Sequence, residues 1–83
     1  MKLLYFAWLK TKTGISEEEI TPPEDVTTVG ALLEWLKARS PGHGDALADL
    51  GAVRVAVNHE YADHKDPVSP DDEVALFPPV TGG

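Results

Sequence analysis

Cysteine is absent from this 83-residue chain. Its absence excludes disulfides, thiolate metal sites, cysteine nucleophiles and any persulfide carried on the chain itself. Basic residues are scarce. Seven Lys and Arg stand against 14 Asp and Glu, a formal charge of −7. Binding to a phosphate backbone needs a basic patch, so nucleic acid is not an expected partner. An acidic surface favours solubility and steers the chain towards basic partners. No apolar run approaches the length that spans a bilayer. The opening, Met1-Lys2-Leu3-Leu4-Tyr5-Phe6-Ala7-Trp8-Leu9-Lys10, is apolar but aromatic, lacks a small-residue cleavage site and soon meets charge. It reads as a strand rather than a signal peptide, and the expected location is cytoplasmic. A Gly-rich phosphate loop and a supported Ser/His/Asp arrangement are also missing.

The apolar share, 42%, and the charged share, 25%, are those of an ordinary globular chain. The length suits one domain with one modest core. Residues 2–10 read as a first strand, and Lys12-Thr13-Gly14 as a hairpin turn. Glu18-Glu19-Ile20-Thr21 reads as a second strand, closed by Pro22-Pro23. Thr28 is placed to cap a helix from Val29 to about Arg39. Its stripe Val29, Leu32, Leu33, Leu36 follows the i, i+3, i+4, i+7 pattern of a buried face. Ser40-Pro41-Gly42 ends that helix, and Asp45 to Leu50 suggests a short second one. Val53 to Asn58 alternates as a strand, Tyr61-Ala62 suggests an edge strand, and Glu73 to Phe77 forms the last strand before Pro78-Pro79. A hairpin, one main helix and a further set of strands make a two-layer α+β domain. One helix across a mixed four- to five-stranded sheet is the β-grasp, or ubiquitin-like, arrangement. It is expected over residues 1–77, with an extended tail over 78–83.

A sheet covered by one helix has an open face. In the first strand Leu3, Tyr5, Ala7 and Leu9 share one side, and Leu4, Phe6 and Trp8 the other, between Lys2 and Lys10. In the last strand Val74 and Leu76 point inward, so Glu73, Ala75 and Phe77 point out. If these strands are neighbours, Phe6 and Phe77 share an exposed apolar patch, the mark of a partner site. The alternative is a small second core beneath the loop from Asn58 to Pro67, which is polar and short for that task.

The chain ends Leu76-Phe77-Pro78-Pro79-Val80-Thr81-Gly82-Gly83. Two prolines force an extended exit from the sheet. Residues 78–83 reach roughly 20 Å when extended. Gly82 and Gly83 have no Cβ, so a partner's walls can close around their backbone. Composition alone leaves a frayed terminus equally open. A carboxylate is a poor electrophile, but an ATP-using partner can convert it to an acyl-adenylate for attack by sulfur or an amine. With no cysteine, sulfur carried here must sit on the terminal carbonyl as a thiocarboxylate.

Residues 57–83 and their ending Phe77-Pro78-Pro79-Val80-Thr81-Gly82-Gly83, with the opening residues 2–10 and the helix start at Thr27-Thr28-Val29-Gly30, resemble the molybdopterin synthase small subunits. These are the ubiquitin-like sulfur carriers of molybdenum cofactor biosynthesis. The likeness runs the length of the chain. It implies that an E1-like adenylyltransferase activates Gly83 with ATP and that a sulfur donor protein then makes the thiocarboxylate. It further implies that Pro78, Pro79, Val80, Thr81 and Gly82 thread into the large synthase subunit. There Gly83 would give sulfur to cyclic pyranopterin monophosphate within a heterotetramer. Partner contacts would map to Phe6, Tyr61, Phe77 and Lys10, the last standing where the family often has arginine. No cofactor is expected on this chain; ATP belongs to the activating partner. The chain alone would not be a catalyst.

Other readings stay open: a sulfur carrier for thiazole or amino-acid synthesis, a modifier joined to lysines, or a passive module using only the Phe6/Phe77 face. His59, Asp63 and His64 are read as a polar loop rather than a metal site. Glu17-Glu18-Glu19 is read as a solvated strand start.

Overall fold

A computed structural model describes residues 1–79. The strands are β1 (Lys2–Tyr5), β2 (Glu17–Glu19), β3 (Arg54–Val57), β4 (Glu60–Ala62) and β5 (Glu73–Phe77). The helices are α1 (Ala7–Thr13), α2 (Val29–Lys37) and α3 (Pro41–Ala46), with a 3-10 turn at Leu50–Ala52. The sheet order is β2-β1-β5-β3-β4. β1 and β5 run parallel at its centre and every other neighbour is antiparallel. This is the expected β-grasp, with five strands where four to five were expected.

α2 forms because its apolar stripe has somewhere to go. Val29, Leu32, Leu33 and Leu36 are fully buried against Leu3, Tyr5, Val74 and Leu76 of the central strands. Each such side chain contributes about 1.5–3 kcal/mol of burial. Thr28 caps the helix, its Oγ1 accepting from the Ala31 N–H at 3.2 Å. In β5 the alternation is as expected, with Val74 and Leu76 inside and Glu73, Ala75 and Phe77 outside or half-buried.

The first strand is shorter than the expected 2–10. It ends at Tyr5, and residues 7–13 are helical. Ala7 turns the chain at φ 53°, a left-handed conformation. Leu9 then reaches the core from a helix rather than a strand. Lys12-Thr13-Gly14 is therefore no hairpin turn. Gly14, at φ 76°, is the αL cap of α1, donating its N–H to the Lys10 carbonyl at 2.8 Å. The hairpin pairing itself survives, with Leu3 opposite Glu18 across a helical insert. The second helix also shifts, from 45–50 to Pro41–Ala46, with Ser40 as its cap and Pro41 at its first position.

Residues 63–68 lie along the start of α2. The Val29 N–H donates to Asp66 O, Gly30 to His64 O at 2.7 Å, and Val68 to Thr27 O. The loop is thus held at the helix entry and builds no second core over the sheet. No helix of the described residues is long and apolar enough to cross a membrane.

Candidate functional site: the open sheet face

The register writes out the open face row by row. Leu4 lies beside Ala75, Ala75 opposite Ala56, and Ala56 opposite Tyr61. The next row towards the chain end pairs Phe77 with Arg54. Phe6 flanks it, donating its N–H to Leu76 O at 3.1 Å. Two alanines in the middle and aromatic groups at the margins make a shallow saddle. Phe6 is 49% exposed and Tyr61 79% exposed, large areas for aromatic rings in a chain with this much charge. The Tyr61 and Phe77 rings meet with centroids 5.8 Å apart, inclined at 52°. Phe6, Tyr61 and Phe77 are therefore brought to one face.

Lys10 reaches this face by an unexpected route. It sits on α1, yet shares a recess with Leu4, Phe6 and Glu17. Trp8 does not belong to the face. It packs against the core from α1, half-buried, with Lys12 Nζ 5.9 Å from its ring centre. The expectation that Leu4, Phe6 and Trp8 line one strand side fails at Trp8, because the strand has already ended.

The tail's root is fixed by its neighbours. Asn58 and His59 both take positive φ, 51° and 72°, in the two-residue connection between β3 and β4. Asn58 then clasps the start of β5. Its N–H donates to Glu73 O at 2.8 Å, and its Nδ2 donates to Asp72 Oδ1 at 2.9 Å. Its Oδ1 accepts from the Glu73 N–H at 3.0 Å. This clasp sets where β5 starts and hence where Phe77 delivers Pro78 and Pro79. Both prolines lie beyond the last strand, and no peptide bond among the described residues is cis. Val80, Thr81, Gly82 and Gly83 lie outside the described residues.

One cluster was not expected. Glu18 stands opposite Leu3 in the register and so points to the covered side of the sheet. Its carboxylate accepts from Tyr5 Oη at 2.6 Å and pairs with His43 Nε2 at 2.8 Å and Arg39 at 3.5 Å. Ser40 Oγ lies 2.7 Å from His43 Nδ1, and His43 is buried. Burial pushes the Glu18 carboxyl up, but the hydrogen bonds from Tyr5 and His43 and the nearby positive charge outweigh it, leaving it below its usual range. Burial and the Glu18 contact push the Tyr5 phenol up. Glu17 and Glu19 are exposed as expected; Glu18 is not a solvated residue. The cluster ties β1, β2, α3 and the turn after α2 together and lies away from the open face. Among the described residues, no group of three or more His, Asp or Glu could hold a metal. His59 pairs with Glu73 at 3.3 Å.

Among the described residues, the open face holds no nucleophile paired with a base. Its geometry suits docking. The model of the ThiS family matches residues 3–83. The chain belongs to the ThiS family. It is 39% identical over 83 residues to the molybdopterin synthase sulfur carrier subunit of Escherichia coli strain K12, covering 100% of this chain and 99% of that one. Among solved structures, H. volcanii small archaeal modifier protein 1 superposes with a TM-score of 0.74 at 31% identity. That match covers 96% of this chain and 97% of the other. A complex of subunits 1 and 2 of the molybdopterin-converting factor from Helicobacter pylori 26695 contains the same fold. Its TM-score is 0.64 at 23% identity, covering 99% of this chain and 96% of that chain. The family read from the Phe77–Gly83 ending is thus borne out over the full length.

Proposed function

We propose that this ThiS-family chain is the sulfur-carrier subunit of a molybdopterin synthase and that Gly83 is its reactive end. The observation that carries the reading is one of contiguity. Phe77 belongs to the exposed aromatic face, and the next residues are Pro78, Pro79 and the run to Gly82-Gly83. Docking that face on a large subunit would aim the tail into it. An E1-like partner would join Gly83 to AMP, releasing pyrophosphate from ATP. Sulfide-level sulfur, released from a donor protein by a thiol reductant, would displace AMP and leave a thiocarboxylate. In the large subunit, that sulfur would displace an oxygen substituent from a side-chain carbon of cyclic pyranopterin monophosphate, and water would cleave the resulting acyl–sulfur bond, leaving the thiolate on the pterin and restoring the Gly83 carboxylate. The full-length likeness to a molybdopterin synthase sulfur carrier subunit supports this reading. These steps are those of cytoplasmic cofactor assembly, with no cofactor held by this chain.

The test is reconstitution. Thiocarboxylated protein, the large subunit and the pterin precursor should yield the dithiolene product, and protein lacking Gly82 and Gly83 should yield none. Product formation independent of the tail overturns the reading. Likeness to a small archaeal modifier protein favours a second one, conjugation of Gly83 to lysines. It predicts higher-mass adducts with the activating enzyme and ATP, without added sulfur donor.

A further inference from the structure

Arg54 is the part of the open face that apolar docking leaves unused. It lies on β3 opposite Phe77 and is exposed. Its guanidinium donates once, from Nη1 to Gly51 O at 3.1 Å. Among the described residues no carboxylate pairs with it. Arg39 meets Glu18, Lys2 meets Glu17 and Lys12 meets Asp45. Lys10, Lys37 and Lys65 also lack a carboxylate partner among the described residues; Arg54 differs in being a planar guanidinium set directly opposite Phe77, the residue that leads into Pro78. Arg54, Tyr61 and Phe77 line one open groove of about 740 Å³ together with Asp63, His64 and Asp66. Asp66 Oδ2 already accepts from the Asp63 N–H at 2.8 Å. Most of the guanidinium's donors are left for a planar, two-oxygen acceptor. The Phe77 ring beside it would exclude water once the face is covered, which strengthens a charge pair there.

We propose that Arg54 is a specificity-determining residue of the docking face, receiving a carboxylate of the large subunit beside the mouth of the channel that takes the tail. The inference rests on the docking reading above. Because Phe77, its cross-strand neighbour, directly precedes Pro78, a two-point pair at Arg54 fixes the direction in which the tail leaves the face. An apolar face alone tolerates sliding; a bidentate pair does not.

The experiment measures binding of full-length variants to the purified large subunit at low and high salt. Arg54→Ala should weaken binding about tenfold at low salt, and Arg54→Glu by more. Arg54→Lys should recover only part, since an ammonium lacks the planar fork. The loss should shrink at high salt. Reversing one Asp or Glu of the large subunit to Arg should restore binding by Arg54→Glu. Phe77→Ala serves as the control for docking itself. If Phe77→Ala abolishes binding while all Arg54 variants bind within about twofold of wild type, as exposed pairs of no consequence do, this inference is overturned and the docking reading stands. If Phe77→Ala binds as wild type, the docking reading falls and this inference with it. Thermal melts establish that each variant is folded; Arg54→Gln replaces Arg54→Glu should the latter lose stability.

Discussion

At the scale of single residues, Glu18 shows what a sequence conceals. Three consecutive glutamates read as solvated, yet strand alternation turns the middle one inward against Leu3. Its partner His43 lies 25 residues away, on a helix whose position relative to β2 is set only by the tertiary fold. Its carboxyl is held below the usual range, so it contributes stability above the ordinary carboxylate pKa. That contribution is lost as pH falls through the lower, folded value. Glu18→Gln should cost about 1–3 kcal/mol at neutral pH, the scale of hydrogen bonds to a charged group. The gap from wild type should narrow below about pH 4.3. Urea unfolding across pH 2–7 checks this, and a gap independent of pH would refute it. Gly42 is a second such residue. A Cβ there would sit 2.7 Å from the Lys12 carbonyl oxygen, a backbone atom of α1 that cannot swing aside. The helix propensity gained by Gly42→Ala is at most about 1 kcal/mol. Overpacking of this kind costs about 1–3 kcal/mol. A net loss is expected, visible as a lower thermal midpoint.

At the scale of elements, long periodic segments were legible and short ones were not. The α2 stripe and the β5 alternation lie where their spacing puts them, because each buries one full face. Residues 7–10 read as strand and Lys12-Thr13-Gly14 as a turn, although 7–13 is helical, because Leu3, Tyr5 and Leu9 satisfy period two whether Leu9 arrives by strand or by helix. The signal that distinguishes them is Gly14 with Lys10 and Lys12 in the preceding turn, a helix-end pattern. The β3–β4 connection was recognised only as a strand end, although Asn58 before a second turn residue is a two-residue hairpin signature. His59 holds φ 72° there without the freedom of glycine, and its contact with Glu73 is solvent-exposed. His59→Gly should therefore stabilise the hairpin by about 0.5–1 kcal/mol net of chain entropy. A higher urea midpoint at unchanged slope is the check.

At the scale of the whole molecule, the candidate site was legible in part. Strand alternation places Phe6 and Phe77 on one face and the family resemblance adds Tyr61; all three lie there, with the Tyr61 and Phe77 rings in contact, because the helices cover only the other side of the sheet. Lys10 arrives by a helix rather than a strand, and Arg54 was not singled out, since nothing in alternation alone tells a docking cation from a solvated one. Tyr61→Ala and Phe77→Ala should each weaken large-subunit binding by about 2 kcal/mol or more. Both rings sit on the outer face, so thermal midpoints should move little by comparison. Loss of fold matching the loss of binding would contradict this division between core and face.

The central claim is that the chain carries sulfur on Gly83, and intact mass spectrometry tests it most directly. Protein with a free C-terminus is incubated with ATP, the activating enzyme and a sulfur donor, then treated with a thiol-alkylating reagent. With no cysteine in the chain, an alkyl adduct that disappears when Gly83 is deleted places the sulfur on the terminal carbonyl, as the account predicts. Complete activation by ATP with no alkylated species would contradict it and leave conjugation as the better reading.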